Sequence, residues 1–310
     1  MRVLVLLLCC AAPAGAWWTT PRLDPLRHDQ AAFDSGRYQE VIADLAPAKM
    51  QKFRGRDLRR AMILLGESHE RVGRPEEALG IYQLGVKLFP ADTMLLTYLA
   101  QLQHAAGLEE QAQPLYEKIL KMHPDNALAH QGLAEIDHSL GFLDRSAEHY
   151  RKALEHLGSR SKVWRDYAEV LLEKRDFTTA EAAIREALTL SADADSFIDL
   201  ALIRRAQGAG DDALAILKGI DGADKRVDLR LLLALWQLEA QRYDEARLLV
   251  EGLLKEDAHL PLARHIRARL ELKAGRKEAA IKDLEAAAAG KGAPFVAKAS
   301  TKLLEALRAE

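Results

Sequence analysis

The chain has 310 residues, 49% hydrophobic and 29% charged, with 44 basic against 46 acidic side chains and a formal net charge of −2. That balance excludes a disordered, collagen-like or multispan membrane chain, and gives no sign of a nucleic-acid or membrane-surface protein. Its wealth of Ala, Leu, Glu and Arg, with aromatics at only 6%, favours helix, because these side chains lose least on entering one.

The N-terminal residues come first. Met1-Arg2 supplies a positive charge, Val3–Ala12 an apolar run, and Pro13-Ala14-Gly15-Ala16 a small-x-small ending. This order predicts a secretory signal peptide over residues 1–16, cut before Trp17, and hence an exported protein, periplasmic or secreted. The alternative is an uncleaved, buried N-terminal helix. A run of about ten residues is too short to span a bilayer core of roughly 30 Å. Leu6-Leu7-Leu8-Cys9 has the leading leucine of a bacterial lipid-acceptor motif, but a bulky Leu stands directly before the cysteine, so lipoprotein anchoring is less favoured. Cys9 and Cys10 are the only cysteines, so the mature chain is expected to hold no disulfide and no reactive thiol. No later apolar run approaches the length of a membrane span.

From there the chain repeats. A turn residue is followed by two residues, an acid and a small apolar side chain. It appears as Gly36-Arg-Tyr-Gln-Glu-Val41, Gly73-Arg-Pro-Glu-Glu-Ala78, Gly107-Leu-Glu-Glu-Gln-Ala112 and Gly141-Phe-Leu-Asp-Arg-Ser146. It continues as Arg175-Asp-Phe-Thr-Thr-Ala180, Gly208-Ala-Gly-Asp-Asp-Ala213, Gln241-Arg-Tyr-Asp-Glu-Ala246 and Gly275-Arg-Lys-Glu-Ala-Ala280. The turn residues stand 37, 34, 34, 34, 33, 33 and 34 apart. Before each turn, apolar residues such as Leu95, Leu96, Leu99 and Leu102 recur at helical spacing. Glycine suits the left-handed cap that ends such a helix. Acids after the turn suit the positive end of the next helix.

Met62, Leu65, Gly66, Ala78, Tyr82 and Pro90 give the order large apolar, Leu-Gly, Ala, aromatic, Pro; Leu96, Leu99, Ala100, Ala112, Tyr116 and Pro124 repeat it. Trp164, Tyr167, Ala168, Leu171, Ala180, Ile184 and Ala187 repeat it again. In period and pattern the chain resembles the tetratricopeptide repeat family, whose unit is two antiparallel helices. The resemblance implies an all-α, right-handed superhelical solenoid over residues 17–294. Its units fall near 22–55, 59–92, 93–126, 127–160, 161–193, 194–226, 227–260 and 261–294. Residues 295–310, with Leu303 and Leu307, then read as a capping helix and tail.

The longest step, between the first two turns, carries three extra residues around 46–57 and a basic run: Lys49, Lys52, Arg54, Arg56, Arg59 and Arg60 against Asp57 alone. Such a run either steers an anionic partner or is merely solvated. Catalytic signatures are missing: there is no His-Glu-x-x-His, no Gly-x-Ser-x-Gly and no phosphate-cradling loop. No cofactor and no enzymatic activity are expected. His104 and His138 lie 34 residues apart, at equivalent places on neighbouring first helices. A metal needs three or four close ligands, and with only Glu135 and His69 as further candidates no metal site is expected.

Function in such a solenoid is expected on the concave face made by the first helices. Thr97, Gln101, His104, Gln131, Glu135, His138, Arg165 and Glu169 should line a polar middle, and Ile198, Leu202, Leu231, Leu235 and Leu238 an apolar C-terminal part. Those leucines either receive an amphipathic peptide or belong to the core. The function expected is a noncatalytic protein- or peptide-binding scaffold of the cell envelope, or secreted. The alternative is a carbohydrate-binding accessory of polysaccharide assembly or export, which aromatic groove residues would favour; Trp164 and Trp236 are the candidates.

Overall fold

The computed structural model describes residues 24–290 and 293–309. The signal-peptide reading of residues 1–16, and both cysteines, lie outside the described residues. Two compact units meet within one helix, the first ending at Leu115 and the second starting at Tyr116. Among the described residues every regular element is an α-helix.

Unit 1 pairs α1 (Arg27–Asp34) with α2 (Tyr38–Asp44), and α4 (Gly55–Arg71) with α5 (Pro75–Leu88). A single helical turn, α3 (Pro47–Met50), lies between the pairs and takes up the extra residues. The unit closes with α6 (Thr93–Ala105) and the start of α7 (Glu109–Met122).

Unit 2 begins with the rest of α7 and continues with antiparallel pairs. These are α8 (Ala127–Ser139) with α9 (Leu143–Leu157), and α10 (Ser161–Glu173) with α11 (Phe177–Leu190). Then come α12 (Ala194–Ala206) with α13 (Gly210–Lys218), α14 (Val227–Glu239) with α15 (Tyr243–Glu256), and α16 (Pro261–Lys273) with α17 (Lys277–Ala288). The last helix, α18 (Pro294–Ala309), packs on α16 and α17 and covers them through Leu303, Leu304 and Leu307.

The pairs form because the repeated phrase places a tight turn before a small residue. Six of its eight turn positions are glycines with φ between 71° and 85°; the other two, Arg175 and Gln241, adopt φ of 62° and 59° at a steric cost glycine would not incur. Five residues on, Val41, Ala78, Ala112, Ser146, Ala180, Ala213, Ala246 and Ala280 are all fully buried. Small side chains there let two helix backbones approach. Ser146 keeps the slot by donating its hydroxyl to the Ala134 carbonyl at 2.8 Å. Asp92, Asn126, Asp176 and Asp193 cap the helices that follow them, each accepting a backbone N–H through its side chain.

Candidate functional site

The first helices of unit 2 carry a depression of about 360 Å³ between α10 and α12. Arg165, Asp166, Glu169, Leu172 and Glu173 reach it from α10, and Asp199 and Leu202 from α12; Ala168 and Ile203 form its buried floor. Helical spacing explains the grouping. Residues 165, 166, 169, 172 and 173 share one face at i, i+3 and i+4 intervals, and Asp199 stands one repeat beyond Arg165.

Arg165 donates from Nε to Asp199 Oδ2 at 2.6 Å and lies 3.6 Å from Asp195. Burial works against its charge, but the bond to Asp199 and the fields of Asp199 and Asp195 raise its pKa overall. Burial pushes the Asp199 carboxyl up despite Arg165, and pushes Asp166 up despite Lys162 at 2.6 Å. Two carboxyls are thus held in a place that penalises their charge, and an arriving cation would relieve that penalty. Glu169 is exposed and has no ion-pair partner among the described residues. Glu173 stands 3.2 Å from His138 on α8, and Gln131 donates to Glu135 at 2.8 Å on the same helix. This face of unit 2 is acidic.

The structure sorts the other expected residues differently. In unit 1, Gln101 is exposed and His104 half-buried, whereas Thr97 is buried and donates to its own helix at the Thr93 carbonyl. In unit 2, Ile198 and Leu202 pack against one core cluster, Leu231 against another, and Leu235 against both, while Leu238 is itself core. Leu238 is thus core, whereas the other four are half-buried, packed on the core along one side, and Leu202 also lines the depression. The helical tryptophans are also used internally. Trp164 donates to the Gly158 carbonyl at 2.9 Å, and Trp236 is buried under the Arg205 guanidinium, 4.8 Å from its ring centroid.

In unit 1 half of the basic run is neutralised by carboxylates. Lys49 reaches buried Asp29 at 3.3 Å, Arg59 pairs with Asp92 at 2.7 Å and Arg60 with Asp24 at 3.0 Å. Arg54 turns to the carbonyl oxygens of Gln51 and Phe53. Only Lys52 and Arg56 of the six make no such bond among the described residues.

One polar cluster in unit 2 has no counterpart in the sequence expectations. His130 Nε2 lies 2.9 Å from the Pro124 carbonyl oxygen and therefore carries the proton. Its Nδ1 then accepts from His149 Nδ1 at 2.9 Å. That leaves His149 Nε2 unprotonated, 3.9 Å from Asp137, which Arg145 holds at 2.9 Å. Burial, with His130, Lys152 and Arg145 nearby, pushes His149 down to about 4. The cluster braces α8 against α9. Among the described residues no group of three or more His, Cys, Asp or Glu is placed to hold a metal ion.

Antiparallel helix pairs recurring at a fixed period define an α-helical repeat protein. The family model for the tetratricopeptide repeat matches residues 99–162 and 139–196. Among solved structures, a tetratricopeptide repeat protein from Parabacteroides merdae is similar with a TM-score of 0.62 at 17% identity, covering 81% of this chain and 98% of that one. PilW, described as a widely conserved type IV pilus biogenesis factor, is similar with a TM-score of 0.60 at 16% identity, covering 68% of this chain and 98% of its own. PilF of Pseudomonas aeruginosa reaches 0.51 at 19% identity, over 62% of this chain and 88% of its own. At such identities the likeness is one of fold. No curated protein matches the chain in sequence. Residues 99–196 thus carry the tetratricopeptide repeat pattern, and the fold of the chain is the one tetratricopeptide repeat proteins have.

Proposed function

We propose that the chain is a noncatalytic scaffold which holds a protein partner on the first-helix face of unit 2, through a partner segment bearing lysine or arginine. One observation carries this reading: Asp166, Glu169, Glu173 and Asp199 converge on one depression whose only cationic lining residue is Arg165. Apolar Leu172 and Leu202 on the same wall suit the aliphatic stem of a long cationic side chain. Tetratricopeptide repeat proteins bind protein partners, and no helix among the described residues is long and apolar enough to cross a membrane.

The test is binding of a fluorescent lysine-bearing peptide to full chain and variants. Glu169→Lys, at an exposed position, lowers affinity about tenfold or more, since like charge at a contact costs several kcal/mol. Its thermal melt stays at the wild-type value. Unchanged affinity removes the acidic face from the account.

The site of action proposed is the cell envelope or the exterior. The charge, apolar run and small-x-small ending of residues 1–16 support it, and assembly of envelope machinery is the role in view, as PilW is a pilus biogenesis factor with this fold. Mass spectrometry of protein from the periplasmic fraction should give Trp17 as the first residue. Recovery with Met1 from the cytoplasm contradicts export.

A further inference from the structure

Unit 1 departs from the repeat at one place, and the departure leaves a groove. The second helix of its first pair, α2, has 7 residues, whereas α5 and α7 have 14 each. At 1.5 Å per residue the shortfall is about 10 Å, or two turns of helix. In unit 2, second helices lie along the first helix that follows, α9 on α10 and α11 on α12. Against α4, α2 offers half that length, followed by the single turn of α3.

Between α3, α4 and α5 lies an almost wholly apolar depression of about 390 Å³, with Met50, Leu58, Leu65, Ile81, Leu84 and Leu88 in its wall. Leu84 and Leu88 are 52% and 50% exposed. Single exposed leucines are common, but a contiguous set lining a concavity marks a contact surface. The sequence points the same way. Leu84 stands eleven residues after turn residue Gly73, and the same place in the next three pairs holds Lys118, Lys152 and Glu186. A charged side chain stands there in those pairs, and a leucine only here.

The surroundings are cationic. Arg54 lines the groove, Lys52 and Arg56 flank it in sequence, and Lys87 precedes Leu88; none of the four pairs with a carboxylate among the described residues. Ile81, Leu84 and Leu88, at i, i+3 and i+7, form one ridge of the kind that packs against a second helix.

We propose that this groove receives a short amphipathic helix of a partner protein, about two turns long, apolar on one face and acidic on its flanks, in the space that the shortened α2 leaves open. The surface belongs to unit 1 and is separate from the acidic face of unit 2, so each stands or falls alone.

The test uses two labelled synthetic helical peptides with one leucine stripe, flanked by glutamates in the first and by lysines in the second. Each is titrated into the full chain by fluorescence anisotropy. The glutamate-flanked peptide binds saturably and the lysine-flanked one does not. Leu84→Lys, which installs the residue of the next two pairs, weakens binding about tenfold or more. Lys87→Glu weakens it as well and leaves the apolar wall intact, so it carries the test should Leu84→Lys alter the melt. Equal binding of both peptides, or full retention in both variants, overturns the proposal. So does sedimentation showing a dimer that Leu84→Lys dissociates, which assigns the groove to a second copy of the chain.

Discussion

Replacing Gly66 with alanine isolates the close approach between α4 and α5. A Cβ built on Gly66 in α4 would lie 2.6 Å from Cζ and 2.9 Å from the hydroxyl oxygen of Tyr82 on α5. Ordinary contact between heavy atoms is about 3.5–4.0 Å. Tyr82 is fully buried, its hydroxyl donates to Glu70 at 2.6 Å, and its ring stacks on Tyr98 with centroids 5.3 Å apart. It has nowhere to go. Glycine to alanine inside a helix ordinarily gains about 1 kcal/mol, whereas overpacking a filled site costs about 1–3 kcal/mol. With the ring held on three sides the cost prevails, and Gly66→Ala should destabilise by about 1–2 kcal/mol.

Gly80 supplies the control. It is an exposed helical glycine on α5 whose Cβ would meet nothing within 4 Å. Gly80→Ala should therefore stabilise by up to about 1 kcal/mol. Urea unfolding followed by far-ultraviolet circular dichroism compares the two within unit 1. A Gly66→Ala variant as stable as wild type, or more so, refutes the close-approach argument.

Arg175 and Gln241 hold left-handed φ of 62° and 59° where six sister positions have glycine. Arg175→Gly should raise stability by about 1 kcal/mol in the same urea assay, and a lower midpoint contradicts it. His149 has a folded-state pKa pushed below its ordinary 6.5 to about 4. The unfolded chain therefore binds more protons in that window, and stability falls as pH drops from 6.5 toward 4. Burial lowers His130 in the same direction, while the upward shift of Asp137 opposes the loss at the acid end. His149→Gln should flatten this slope; an unaltered slope places the pH dependence elsewhere. Arg165 competes with a bound cation for Asp199 and Asp195. Arg165→Gln should accordingly bind the lysine-bearing peptide more tightly, and weaker binding would show that Arg165 itself contacts the ligand.

The pairing of helices is legible in the sequence because it rests on local chemistry at a fixed period: a turn residue, an acid, and a small side chain five places on. Even Arg165 with Asp199 is written there, as opposite charges one repeat apart; Arg205 with Glu239 is a second such pair. What the sequence hides is partnership at other separations. The basic run reads as a patch, yet Asp29 lies 20 residues from Lys49, Asp92 33 from Arg59 and Asp24 36 from Arg60. The C-terminal leucines read as groove or core alike, because a helix shows the same stripe to a ligand as to its neighbour; half-buried Leu202 packs on the core and lines the depression at once. The apolar groove of unit 1 escapes for a related reason. Its cause is the early end of α2 at Asp44, which the extra residues after it conceal.

Selection of a cationic partner by the acidic first-helix face is open to calorimetry on the unmodified protein. A lysine-bearing peptide and its lysine-to-glutamine counterpart are titrated in turn. The first should bind saturably, more weakly as salt is raised, and the second should not bind measurably. Equal affinity for both peptides would contradict it.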